Sequence, residues 1–325
     1  MQTKFFSRQS FVRCLVLSST SMLLFCASGI EGRFFTPLGV TALMFSPTPM
    51  ALLGARESKA WMTLGLLSAT FALAFVFDPW LALSFLLGHG LLCFGLTLPL
   101  GKLEKGNESL LFCTITSIVS KVLFAAASVY LKGINPFAIN QDALRSRLYS
   151  MYAGILSKGG QEALYLQEYL DQAVALFPYM LPFFIILYSM FDSFLNYRLC
   201  EALQRRREVV FPPLPPFGEW RFPKNLLHVF VFAVILPFLV EGGDWQIWTM
   251  LEYSLKLLVN VFFFLQGIAL VWWLSQHATR RFLFPLLLCI ILAGFFSMQI
   301  LLMLIAVLGF SDIFIDFRSK KIRQA

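Results

Sequence analysis

Apolar runs close to one membrane span in length alternate with short polar breaks along almost the whole chain. They run Phe11 to Ile30, Phe34 to Ala55, Trp61 to Phe77, Leu81 to Leu100, Leu110 to Leu131, Leu176 to Leu195, Leu226 to Val240 and Ile247 to Gln276. A bilayer core takes roughly 20 apolar residues as a helix. Only a helix satisfies its own backbone hydrogen bonds within such a segment. The pattern therefore predicts an all-α, polytopic helical membrane protein. The ten-residue alternating strands of a β-barrel are missing. The last apolar stretch, Phe282 to Phe317, is 36 residues long, too long for a single span. Two short helices turning near Gly294 to Gln299 would return Arg318, Lys320, Lys321 and Arg323 to the side of Arg280 and Arg281. That gives ten transmembrane segments, against nine for one continuous helix.

The polar breaks orient the spans. Lys4 and Arg8 precede the first run, and no small-x-small cleavage site follows it. Phe25 stands before Cys26, where a lipobox needs a small residue. The expectation is an uncleaved first helix with a cytoplasmic N-terminus, in a bacterial inner membrane. Arg56, Glu57 and Lys59, then Lys102, Glu104, Lys105 and Glu108, form inside loops, and Asp78-Pro79-Trp80 forms an outer turn. The segment Lys132 to Asp171 has balanced charge. Its Leu144, Leu148, Met151, Tyr152 and Ile155 recur at helical spacing, which predicts an amphipathic helix on the membrane or over the bundle. Gly159-Gly160 ends that helix. The whole chain, 1–325, reads as a single integral membrane domain. It comprises a five-helix half, 1–131, an outer amphipathic segment, 132–171, and a C-terminal half, 172–325, holding a basic loop at 198–224.

Composition agrees: 58% of residues are hydrophobic, 14% are charged, and the mean hydropathy is +0.74. A soluble domain carries about a quarter charged residues. The net charge of +8 is what Lys- and Arg-rich inside loops produce, so it does not point to nucleic acid. The six cysteines are scattered, with no CxxC pair and no metal or disulfide framework. No cofactor is implied. HExxH, P-loop, GxGxxG and GxSxG patterns are lacking, so the reading is of a protein that is not an enzyme and has no catalytic residue.

Candidate chemistry lies where polar residues interrupt the spans. Lys121 falls mid-run, with Ser117 one turn before it. A buried lysine there either holds an anionic solute or pairs with a membrane carboxylate. His89 lies mid-span between Gly88 and Gly90, as a proton-carrying site or a hydrogen-bonded packing residue. Ser46-Pro47-Thr48-Pro49 cannot continue an undisturbed helix. Pro47 and Pro49 mark either the end of a short interfacial helix or a broken helix whose carbonyls line a polar site. Asp192 is expected near the inner interface, paired with a base such as Arg198. Glu252 and Lys256 are set for an i,i+4 ion pair. In the basic loop, Arg205, Arg206 and Arg207 precede a proline run ending in Phe217, Trp220 and Arg221. These bases fix topology and contact anionic lipid, or the proline-aromatic run serves as a rigid handle for a cytosolic partner.

Several of these motifs together resemble the YybS-like family of uncharacterised bacterial membrane proteins. They are Asn196-Tyr197, Leu214-Pro215-Pro216-Phe217, Glu219-Trp220-Arg221 with Pro223, Leu308-Gly309-Phe310-Ser311-Asp312, Asp316-Phe317-Arg318 and the early Ser46-Pro47-Thr48-Pro49. The resemblance implies a distant grouping with the substrate-binding S-components of energy-coupling-factor transporters. Those dock a coupling module through small residues spaced by four, a spacing that Gly65 with Ala69 and Ser68 with Ala72 offer here. The functional expectation is a small-molecule binding or transport component in the lipid bilayer. The alternative is a membrane scaffold engaging a partner protein through residues 198–224.

Overall fold

The computed structural model describes residues 8–27, 37–133, 135, 140–204, 211–239, 246–277 and 297–318. Every regular element among them is a helix. Seven helical stretches are long and apolar enough to cross a membrane. Three of the ten sequence runs account for the difference. Phe34 to Ala55 yields two short helices, Leu226 to Val240 yields a helix below span length, and residues 278–296 lie outside the described set. Residues 294–296 of the proposed turn before the last helix therefore fall outside the described residues.

The chain divides into two compact units, and the first comprises residues 1–138 and 185–214. Its helices are α1 (Arg8–Ala27), α2 (Pro37–Phe45), α3 (Pro47–Arg56), α4 (Lys59–Val76), α5 (Pro79–Phe85), α6 (Leu91–Thr97), α7 (Gly106–Lys132) and the larger part of α11 (Leu181–Gln204). A single π-helical turn, Leu86–Gly90, joins α5 to α6.

The short helix α3 is the pillar of this unit. Pro47 through Leu53 are all buried. A helix apolar on every side is one enclosed by others; here α1, α4 and α6 pack around it. Met50 and Leu53 enter a core with Trp61, Met62, Leu66, Leu73 and Phe85. Ala51 and Leu52 enter a second core with Leu92, Leu96, Tyr197, Cys200, Phe211 and Leu214.

Helix α7 is amphipathic in the inverted sense that lipid requires. Leu111, Ile115, Val119 and Val122 are exposed, while Ser109, Cys113, Ser117 and Ser120 are buried. Lipid tails are as apolar as leucine, so small and polar residues turn inward, where close packing and hydrogen bonds hold the helices. Gly65 and Ala69 do the same for α4: Gly65 faces Cys14 and Ser18 of α1, and Ala69 is buried. That pair is occupied by packing within the chain.

The second unit comprises residues 139–184 and 215–325. It contains α8 (Gln141–Met151), α9 (Ala153–Leu156), α10 (Gln161–Leu176), α12 (Asn225–Leu239), α13 (Gln246–His277) and α14 (Met298–Ile315). Gly159 and Gly160 take φ of 66° and 87°, conformations that glycine adopts without strain, and they separate α9 from α10. Asp171 of α10 binds back to α8, to Arg145 Nε at 2.9 Å and Tyr149 Oη at 2.9 Å. Helices α13 and α14 approach most closely at Gly267 and Gly309. A Cβ on Gly309 would collide with the Phe263 carbonyl, and one on Gly267 with the Ile305 carbonyl. Phe263, Phe230 and Phe310 pack edge-on beside that crossing. The Glu252–Lys256 pair forms at 2.6 Å on α13.

Candidate functional site: an intramembrane ion pair

Residues four apart on a helix lie on one face. Helix α7 places Ser117 and Lys121 this way, and α11 places Tyr188, Asp192 and Asn196. The two faces meet. Lys121 Nζ lies 3.2 Å from Asp192 Oδ2, with side chains 14% and 4% exposed. Nζ also donates to Ser117 Oγ at 2.6 Å and sits 4.8 Å from the centre of the Tyr188 ring. Asp192 Oδ1 accepts from Asn196 Nδ2 at 3.0 Å. Each charge thus carries a neutral hydrogen-bonding partner on its own helix, and two longer contacts link the helices: Lys121 Nζ to Asp192 Oδ2, and Ser117 Oγ donating to the same Oδ2 at 3.5 Å.

Asn196 extends the network to the break between α2 and α3. Pro47 and Pro49 have no N–H, so the regular helical ladder cannot pass through Ser46. Carbonyls around the break also accept from side chains of other helices. Met44 O accepts from Asn196 Nδ2 at 2.8 Å, Ser46 O from Ser21 Oγ at 2.6 Å, and Pro47 O from Cys93 Sγ at 3.5 Å. Thr48 Oγ1 donates to Asn196 Oδ1 at 2.7 Å. A continuous polar line therefore runs Thr48, Asn196, Asp192, Lys121, Ser117. The helix breaks between Phe45 and Pro47, and Thr48 beside the break belongs to this polar line.

More polar capacity lies buried in the same unit. The hydroxyls of Ser46, Ser189 and Ser193 are buried and make no hydrogen bond. Ser120 Oγ donates to Leu87 O in the π-helical turn. His89 lies in that turn, its ring edge-on to Phe25 at 5.1 Å and its buried Nδ1 without a hydrogen bond. The structure therefore brings Lys121, Ser117 and the Pro47–Pro49 break into one network and leaves His89 outside its hydrogen bonds. The base that pairs with Asp192 is Lys121; Arg198 pairs with Glu201 at 2.6 Å. The spacing of four in Tyr188, Asp192 and Asn196 is the signal that could have found the α11 side of the site.

The described basic-loop candidates, Phe217, Trp220 and Arg221, are engaged internally. Phe211 and Leu214 enter the first unit's core, and Pro212 O accepts from Tyr197 Oη at 2.7 Å. In the second unit, Phe217 packs edge-on against Trp220 at 5.1 Å, and Trp220 Nε1 donates to Pro215 O at 3.1 Å. Arg221 pairs with Asp316 at 3.3 Å. Arg318, 1% exposed, donates to Gly218 O at 2.5 Å and Trp220 O at 3.0 Å, and its Nη2 lies 3.0 Å from Asp312 Oδ2. Gln266 completes this group, donating to Asp312 Oδ2 at 2.5 Å and accepting from the Phe222 N–H at 3.1 Å. Sequence reasoning missed Gln266 and the role of Arg318. Arg205, Arg206 and Arg207 lie outside the described residues.

The helices and their buried ion pair define a polytopic helical membrane protein. Residues 21–313 match the family described as Predicted membrane protein (DUF2232), and the chain belongs to that family. It is similar to the uncharacterized protein YybS of Bacillus subtilis (strain 168). The two are 22% identical over 246 residues, which cover 73% of this chain and 76% of the relative. No solved structure matches the chain.

Proposed function

We propose that this protein is a small-solute binding and transport component of the bacterial inner membrane, with Lys121 and Asp192 as its solute-contacting pair. The observation that carries this reading is the Lys121–Asp192 contact, a charged pair buried within helices of span length. Ionisable groups at membrane depth are expensive, and packing alone gives no reason to keep them. The neighbouring broken helix supports the same reading, because discontinuous helices recur at the solute sites of membrane transporters. So does the π-helical turn beside it, a distortion frequent at functional sites. On this reading the N-terminus is cytoplasmic, and the resemblance to S-components describes a shared task of solute capture.

The scaffold alternative has weaker support, because Trp220 and Arg221 already hold internal partners. The test is a thermal-shift screen of the purified protein against small polar solutes, repeated on Lys121→Ala. A solute that stabilises the native protein should lose its effect in the variant while membrane insertion stays normal. If the response survives Lys121→Ala and depends only on Arg205–Arg207 or Trp220, the ion pair is not the site.

A further inference from the structure

We propose that the pair takes a small zwitterion, a solute carrying both an ammonium and a carboxylate. The inference rests on the solute-binding reading above and adds the class of solute. It follows from charge balance at the pair. A solute entering between Lys121 and Asp192 must break their contact, and at membrane depth each charge then needs a new partner. A lone anion answers Lys121 and strands Asp192. A lone cation does the reverse. A neutral solute strands both. A zwitterion re-pairs both, carboxylate to Lys121 Nζ and ammonium to Asp192 Oδ2, leaving the net charge in the bilayer unchanged.

The geometry supports opening at this contact. At 3.2 Å the Lys121–Asp192 link is longer than usual for charge-assisted N–H···O bonds. Opening also gives up the 3.5 Å contact from Ser117 Oγ to Asp192 Oδ2; Ser117, on α7, then keeps its 2.6 Å bond with Lys121, and Asn196, on α11, keeps its bond with Asp192. The remaining valences of a bound ammonium and carboxylate also need partners. The unbonded hydroxyls of Ser189, one turn before Asp192, and of Ser193, next to it, are both fully buried. The Tyr188 ring, 4.8 Å from the Lys121 ammonium, supplies an aromatic face for a second cation.

The experiment uses purified full-length protein and matched sets of three compounds. Each set has one α-amino acid, the amine lacking its carboxylate, and the acid lacking its amine; alanine, ethylamine and propionate form one set. Binding is read by calorimetry on the native protein, Lys121→Met and Asp192→Asn. In at least one set the native protein should bind the amino acid roughly a hundredfold more tightly than either half. Asp192→Asn should shift preference toward the acid and Lys121→Met toward the amine. The variant Lys121→Met/Asp192→Leu, with no buried charge to strand, controls for folding and should bind none. If a half-molecule or an uncharged solute binds the native protein as well as any zwitterion, and does so through Lys121, the zwitterion inference falls and solute binding stands. If every binder is indifferent to both residues, or none binds, both fall.

Discussion

Lys121 on α7 and Asp192 on α11, separated by 71 positions in sequence, form a buried ion pair that neither helix could carry alone. Removing one partner strands the other charge at membrane depth. Lys121→Ala or Asp192→Ala should therefore lower stability in detergent by ~3–5 kcal/mol. Replacing both together, as in Lys121→Met/Asp192→Leu, should restore most of it. Thermal unfolding of the three variants checks this, and a double variant as unstable as the singles would show that the pair is not an isolated electrostatic unit.

Asn196 is the junction between that pair and the proline break. It bonds Thr48, the Met44 carbonyl and Asp192. Asn196→Leu leaves several buried polar groups unsatisfied, which costs about 1–3 kcal/mol per group. The expected result is a lower melting temperature than for Tyr188→Leu, a half-exposed residue of the same helix face.

The buried Arg318 ties the chain's end to the loop through two carbonyls and Asp312. Only a planar guanidinium serves all three partners at once, so Arg318→Lys should not rescue what Arg318→Ala loses. Limited proteolysis should show faster cleavage of residues 215–223 in both variants. Equal protection in Arg318→Lys and the native protein would argue for charge alone.

Helices α13 and α14 meet where Gly309 and Gly267 leave no room for a Cβ. Gly309→Val must push backbone from backbone, and should cost at least about 2 kcal/mol in detergent unfolding. The same substitution at Gly154, which faces open space, should cost far less.

Outside the spans, Glu57 accepts from the Ser10 hydroxyl at 2.6 Å and from Arg13 at 2.5 Å. The Ser10 bond, then the Arg13 bond, hold its carboxyl below the usual carboxylate range. A depressed folded-state pKa stabilises the protein above the unfolded value of about 4.3, and the contribution is lost as pH falls through the folded value. Glu57→Gln should therefore flatten the loss of stability between about pH 5 and the acid limit. Melting curves across that range, native against variant, report it directly.

The helical class, the polar breaks and the i,i+4 positions were legible because lipid permits few backbone solutions and helical periodicity is local. Lys121, Ser117 and the proline pair stood out for the same reason: each breaks an apolar run. Along the chain the base nearest Asp192 is Arg198; its true partner Lys121 has no local signal, because the meeting of α7 and α11 is tertiary. The second apolar run gave no sign of being enclosed, since a buried short helix and a lipid-facing span share one composition. Gln266 sits in a long apolar span with no local pattern to single it out. Its worth appears only beside Asp312 and Phe222.

The most direct test compares native protein with Lys121→Met/Asp192→Leu, which keeps the packing and removes both charges. A thermal-shift screen against small polar solutes should give a stabilising compound for the native protein and no response from the folded double variant. An identical response from both would contradict the assignment of the ion pair as the solute site.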